Sequence, residues 1–216
     1  MGTALFRHIQ ESYMSEKIRI AVLASGGGTN LQALIDAEHS GIIKNGEIVL
    51  VICNRKSAYA AERAKAAGIR AEIVTRKACG GQEGFEKRMI ELLEEESADL
   101  IVLAGFLNIL SNDFVRRYDH RIVNIHPSLI PAFCGEGFYG LVPHEAALER
   151  GVKVTGATVH FVNEIADGGD IIAQKAVEVL PGDTPEVLQK RVMEQAEWVL
   201  LPAAVSKLCD EMSAEK

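Results

Sequence analysis

The stretch that most constrains the fold lies near the start of the chain. Residues 17–24, KIRIAVLA, form an apolar run rich in strand formers. They break off at Ser25-Gly26-Gly27-Gly28-Thr29-Asn30, after which LQALID (residues 31–36) places apolar residues at helical spacing. Strand, glycine loop and helix in that order form the opening unit of an α/β fold. The loop turns backbone N–H groups and a helix N-terminus towards an anion. The glycines allow close backbone approach and Thr29 adds a hydroxyl. This predicts a phosphate site; a tight strand-to-helix turn with an N-cap is the alternative reading.

Two other glycine loops fit less well. No Gly-Lys-Ser/Thr ending is present, which excludes a nucleoside-triphosphate loop. A dinucleotide fingerprint needs a third glycine where Leu31 stands. The second strand, residues 47–53, ends in Asn54-Arg55 rather than in an acidic residue. Arg55 is compatible with NADP, so an NADP-dependent oxidoreductase stays open, as does a phosphosugar-binding module without catalysis.

The rest of the chain repeats the alternation. Residues 58–67 read as a surface helix stopped by Gly68, residues 70–74 as a third strand, and residues 85–96 as an amphipathic helix. Residues 98–103 are apolar enough for a central strand. They run into Ala104-Gly105-Phe106-Leu107-Asn108-Ile109-Leu110, with Ser111 as the next N-cap. Those apolar residues either line a pocket for a flat ring or, as Phe106 and Ile109, plug the core.

Residues 121–123 lead into Asn124-Ile125-His126-Pro127-Ser128. Strand positions two apart share a side, so the Asn124 amide and the His126 imidazole can address one substrate group from a strand end. Asn brings a donor of constant charge and His a proton exchangeable near neutral pH. The glycine- and aromatic-rich residues 131–140 suggest a loop that closes over something. Pro143 then starts a helix ending at Gly151, with His144 in its first turn read as a surface, structural residue, contact with substrate being the alternative reading. Residues 152–162 and 170–179 read as a hairpin, giving the sheet antiparallel character. His160 reads as structural, and Asp167, by itself, as a turn residue. Thr184-Pro185 starts a helix through Trp198 that breaks near Pro202. On it Glu194 and Glu197, three apart, are expected to share a face suited to ribose hydroxyls.

The expected fold class is therefore α/β: a Rossmann-like, mostly parallel twisted sheet, helices on both faces, and an antiparallel hairpin in the C-terminal half. One domain over residues 18–208 is expected, between an N-terminal extension (1–17) and a polar tail (209–216). A net charge of −7 argues against a general nucleic-acid or membrane-surface partner. Cys53, Cys79, Cys134 and Cys209 are scattered without a CxxC pair, so no metal site is expected and a reducing, cytoplasmic location is. No apolar stretch suits a signal sequence or a membrane span.

Taken together, SGGGTNLQAL, LAGFLNIL, VNIHPSLIPAF and GATVHFVNEIADGGDII resemble the folate-dependent formyltransferase family, in particular its phosphoribosylglycinamide formyltransferase (glycinamide ribonucleotide transformylase) members. The resemblance runs from about Ile18 to Val205. It implies transfer of the formyl group of 10-formyltetrahydrofolate, a co-substrate, to the amine of glycinamide ribonucleotide in purine synthesis. It implies Asn124, His126 and Asp167 as catalytic residues. Gly28, Thr29, Asn30, Glu194 and Glu197 correspond to contacts with the ribonucleotide. Folate contacts fall on Leu107, Asn108, Ile109, Leu110 and Asn124, and on Asn163, Glu164, Ile165, Ala166 and Asp167. The implied partners are these two small molecules, in a monomer or homodimer. The chain departs from the family at Asn108, where many members have Arg, at Gln82, near which they have a basic residue, and in a longer loop at residues 134–141. The deformylase and tRNA-formylating siblings carry extra domains for which these 216 residues are expected to leave no room. The pairing of Asp167 with His126 is expected to keep the imidazole protonated at higher pH than a free His.

Overall fold

The structure is a computed structural model that describes residues 16–216; most of the expected N-terminal extension lies outside the described residues. Seven strands form one sheet in the order β3-β2-β1-β4-β5-β6-β7. They are β1 (Ile18–Ala24), β2 (Gly46–Cys53), β3 (Arg70–Ile73), β4 (Leu100–Leu103), β5 (Ile122–His126), β6 (Val154–Phe161) and β7 (Ile171–Glu178). The pairings among β1 to β5 are parallel, and β6 and β7 run antiparallel to their neighbours. The Rossmann-like sheet and its antiparallel C-terminal hairpin are as expected.

Strand alternation sorts the core into two layers. Ile18, Ile20, Val22 and Ala24 pack on one face beneath α1 (Thr29–His39), α2 (Ala60–Ala66), α5 (Val142–Arg150), α6 (Pro185–Val192) and α7 (Trp198–Glu215). Ala21 and Leu23 face the opposite layer, built on α3 (Gln82–Glu95) and α4 (Asn112–Arg117). Burial on both faces explains why the parallel strands read as continuous apolar runs.

Caps fall where short-range chemistry puts them. Ser111 Oγ accepts the Phe114 N–H at 3.2 Å, and Thr184 Oγ1 accepts that of Val187 at 3.4 Å. Gly151, at φ 72°, ends α5 in the left-handed conformation.

The C-terminal helix departs from expectation. No break occurs at Pro202; the irregularity sits earlier, as a π-helical turn at Met193–Glu197, and α7 continues to Glu215. Residues 209–215 are thus helical rather than a tail. Cys209 is fully buried against the core, and Lys216 Nζ lies 3.0 Å from Asp99 Oδ2. No helix among the described residues is long and apolar enough to cross a membrane.

The strand order reverses between β1 and β4, where crossover connections leave the sheet in opposite directions. A crevice opens there beyond the carboxyl ends of the strands. The glycine loop follows β1, residues 104–110 follow β4, and β5 ends in His126 beside them.

Candidate active site

A cavity of about 570 Å³ occupies this crevice. Its walls include Thr29 and Asn30, Leu107 to Ile109, Asn124 and His126, Ala166 and Asp167, and Glu197. A larger groove, about 690 Å³ around Trp198 between α1 and α7, shares Thr29 but holds none of the imidazole and carboxylate groups gathered here.

One end of the cavity is the glycine loop. Gly28 adopts φ 71°, and a Cβ there would come within 2.8 Å of Ala60, so α2 packs directly on a position suited to glycine. Asn30 Nδ2 donates to Glu197 Oε2 at 2.7 Å, while Asn30 Oδ1 is buried without a partner. Burial pushes the Glu197 carboxyl above its usual range, offset in part by the Asn30 amide. Arg63 of α2 donates to the Gly27 carbonyl at 2.8 Å and to Gln32 Oε1 at 3.0 Å. It puts a cation beside the loop that the sequence reading overlooked.

Glu194 does not share this face. It is exposed, 3.8 Å from Lys190, and outside the cavity wall. The π-helical turn is the reason: its wider i→i+5 winding separates residues that the tighter α-helical turn would align.

The second wall is the connection after β4. Ser25 Oγ accepts the Leu107 N–H at 2.8 Å, tying this wall to the glycine loop. The Ile109 carbonyl accepts from Arg76 at 2.9 Å and Gln82 at 3.2 Å, and Glu86 accepts from the Ser111 N–H at 2.7 Å. Phe106 stacks on Phe85 and Leu110 is buried, so these two fill the core. Leu107 and Ile109 stay exposed, Ile109 at 68%, so the plug reading holds for Phe106 and fails for Ile109.

The third wall gathers an amide, two imidazoles and a carboxylate. Asn124 and His126 lie two apart on β5, and the antiparallel register sets Asn124 opposite His160 of β6. Asp167 arrives from the β6–β7 turn. Its Oδ2 is 3.4 Å from His126 Nδ1 and its Oδ1 is 3.5 Å from His160 Nε2. That same His160 nitrogen is 3.2 Å from the Asn124 amide nitrogen, and His160 Nδ1 donates to the Phe161 carbonyl at 2.7 Å. His160, expected to be merely structural, thus links the amide to the carboxylate.

Asn163 shapes the turn that delivers Asp167, donating to the Gly168 carbonyl at 3.1 Å and accepting from Ile165 N–H at 2.9 Å. Asp167 itself takes φ 53°. Glu164 pairs with Arg116 at 2.9 Å and Ile165 is 69% exposed. Asn163, Glu164 and Ile165 lie outside the cavity lining, whereas Ala166 and Asp167 belong to it.

Residues 133–135 close over the pair. His126 Nε2 donates to the Phe133 carbonyl at 2.9 Å, and Gly135 N–H donates to Asp167 Oδ2 at 2.8 Å. Burial alone would raise the pKa of Asp167, but His160, His126 and the Gly135 N–H outweigh it and hold the carboxyl below its ordinary value. For His126 burial wins. It lowers the pKa, with the Phe133 carbonyl and Asp167 offsetting only part. The pairing with Asp167 is present, but the expected net rise in protonation is reversed, because the ring is only 4% exposed.

His144 is a second correction. Rather than lying at the surface it is fully buried, lines the cavity, and has no partner at either ring nitrogen. Burial, helped by nearby His126, lowers its pKa to about 4. Among the described residues no group of three or more His, Cys, Asp or Glu side chains is placed to hold a metal ion.

The sequence matches the formyl transferase family over residues 18–205. It is 39% identical to a protein of Escherichia coli named phosphoribosylglycinamide formyltransferase, over 89% of this chain and 88% of that one. It is 45% identical over 92% of its length to the trifunctional purine biosynthetic protein adenosine-3 of Gallus gallus, of which it spans only 19%. The crystal structure of glycinamide ribonucleotide transformylase 1 from Symbiobacterium toebii superposes with a TM-score of 0.84 at 42% identity, covering 90% of this chain and 89% of that one. With the family matched across nearly all the described residues, and a relative of similar length more than a third identical, the chain belongs to the formyl transferase family.

Proposed function

We propose that this chain transfers the formyl group of 10-formyltetrahydrofolate to the amine of glycinamide ribonucleotide, a step of purine (IMP) biosynthesis, as one cytoplasmic domain acting on two small molecules. The observation that carries the reading is the convergence of Asn124, His126 and Asp167 on one cavity that also holds Asn30 and Glu197. The glycine loop takes the phosphate, and Glu197 accepts from the ribose hydroxyls. The exposed Leu107 and Ile109 offer an apolar wall for the folate ring. The relatives' names, phosphoribosylglycinamide formyltransferase and glycinamide ribonucleotide transformylase, support the same substrates.

The neutral amine nitrogen attacks the formyl carbon; the new C–N bond forms as the carbonyl π pair moves to oxygen. Asn124 and the His126 Nε2–H donate to that oxygen, and one such donor is typically worth about 2.7–4 kcal/mol of barrier. The Phe133 carbonyl now occupies Nε2, so the substrate oxygen replaces it as acceptor. The C–N10 bond then breaks as the carbonyl re-forms. In the reacting complex the ring is the imidazolium, with Nδ1–H facing Asp167 at 3.4 Å, which compensates its charge. Nε2 hands its proton to N10 and then takes up the amine's, or an ordered water carries the amine's proton across. The substrate amine is the nucleophile, so no formyl-enzyme forms.

The test follows folate deformylation with glycinamide ribonucleotide omitted and then restored. Turnover is expected only after restoration. Folate product formed at the same rate without the acceptor would sink the reading and favour hydrolysis.

A further inference from the structure

Among the described residues, His144 alone has two buried polar side-chain atoms without a partner. It is fully buried, yet both ring nitrogens lack a partner. Buried polar groups are paired in the great majority of cases, and an unpaired one is destabilising. Two features set this one apart from a packing defect. First, the ring lines the same cavity as His126 and Glu197. Second, another residue of that cavity lining, Asn30, also has a buried side-chain oxygen without a partner. Unsatisfied hydrogen-bonding capacity is thus found at two places on the lining of one cavity.

The position narrows the ligand group. His144 sits in the first turn of α5, which packs against α6, the helix that runs directly into the π-helical turn carrying Glu197. It is also close enough to His126 for the charge on one ring to oppose charge on the other. It therefore shares a cavity wall with Glu197 and lies near His126, the groups that the proposed function gives to the ribose and to the reacting carbon.

We infer that His144 hydrogen-bonds the glycinamide arm of the acceptor substrate and so aims the attacking amine at the formyl carbon. This rests on the function proposed above. A neutral imidazole offers one N–H donor and one lone pair. The glycinamide arm offers the match: a carbonyl oxygen to accept, and amide and amine N–H groups to donate. An amine that gives an N–H to the ring keeps its own lone pair for attack. The low pKa of His144 keeps the ring neutral, so it adds no charge beside His126 as that ring takes up a proton.

His144→Phe and His144→Gln separate this role from packing. Phe removes both unpaired nitrogens, so it is expected to raise Tm while cutting kcat/KM for glycinamide ribonucleotide at least tenfold. The KM for 10-formyltetrahydrofolate should stay within twofold of wild type. Gln, which keeps a donor and an acceptor, should recover part of the loss. Calorimetric titration of glycinamide ribonucleotide without folate should show the same weakening. Wild-type kcat/KM in His144→Phe overturns the inference, as does an equal loss for both substrates with a lowered Tm. A wild-type protein that formylates nothing would instead put the parent reading at fault. The titration then still decides whether His144 touches the ribonucleotide.

Discussion

Replacing Asp167 by Asn removes a charge while disturbing little else. Asp167 adopts φ 53°, a left-handed conformation that Asn tolerates as Asp does, so the turn survives. One side-chain oxygen remains to accept the Gly135 N–H, now made at 2.8 Å. What disappears is a negative charge 3.4 Å from His126 Nδ1. At an effective dielectric constant near 20, a unit charge at that distance contributes about 5 kcal/mol to the imidazolium. Water entering the site and the new amide dipole reduce it. The expected loss in kcat therefore lies between about 100-fold, the lower figure for one oxyanion donor, and a few thousand-fold. The sign is fixed: burial already lowers the pKa of His126, and losing the carboxylate lowers it further. The inflection assigned to His126 in the pH profile of kcat/KM must then move to lower pH, because kcat/KM reports the free enzyme. NMR titration of the ring gives the same shift independently. A variant with kcat within threefold of wild type, or an inflection unmoved or moved upward, refutes the coupling. Asp167→Ala is the control for backbone strain, expected to lose about 1–2 kcal/mol more stability than Asn.

Four further outcomes can be measured. Asn124→Ala should lower kcat by about 100- to 1,000-fold with little change in KM, since in the proposed mechanism the amide acts on charge present only in the transition state. Glu197→Ala removes the partner of Asn30 and the proposed ribose acceptor together, and should raise the KM for the ribonucleotide about tenfold or more while sparing that for folate. Gly28→Ala forces a side chain into φ 71° and against Ala60, and should cost at least about 1–2 kcal/mol in denaturant unfolding; an unchanged midpoint would contradict the packing described. His144 gives a pH dependence of stability. Its folded pKa of about 4 lies below the unfolded value of about 6.5, so its contribution is whole above pH 6.5 and fades as pH falls towards 4, by about 3 kcal/mol in all. His144→Phe should flatten that part of the curve.

The parts of the molecule legible in the sequence are those whose cause is local. The apolar runs of β1, β2, β4 and β5 announce buried parallel strands because both faces are covered. Ser111 and Thr184 declare helix starts because each cap is satisfied within three residues. Asn124 and His126 stand out for the same reason, since spacing two on a strand is already a shared face. Asp167 is different. In its own neighbourhood it is only a turn residue, and only resemblance joined it to His126, 41 positions away in the chain.

The residues misread are those whose surroundings come from elsewhere in the chain. His160 owes its place to the antiparallel register that sets it opposite Asn124, and nothing in TVHFV states which strand that will be. His144 occupies a helix first turn, usually a solvated position, yet the cavity wall and His126 enclose it. Glu194 and Glu197 divide because five residues, Met193–Glu197, wind as a π turn that no periodicity marks. Two of these three surprises line or complete the site. A local reading assumes that a residue's best environment is the one its neighbours provide. A group that binds substrate departs from that rule because its partner is absent from the chain. The unsatisfied buried imidazole of His144 is therefore invisible in the sequence, and on the inference above it is a place where function takes precedence over stability.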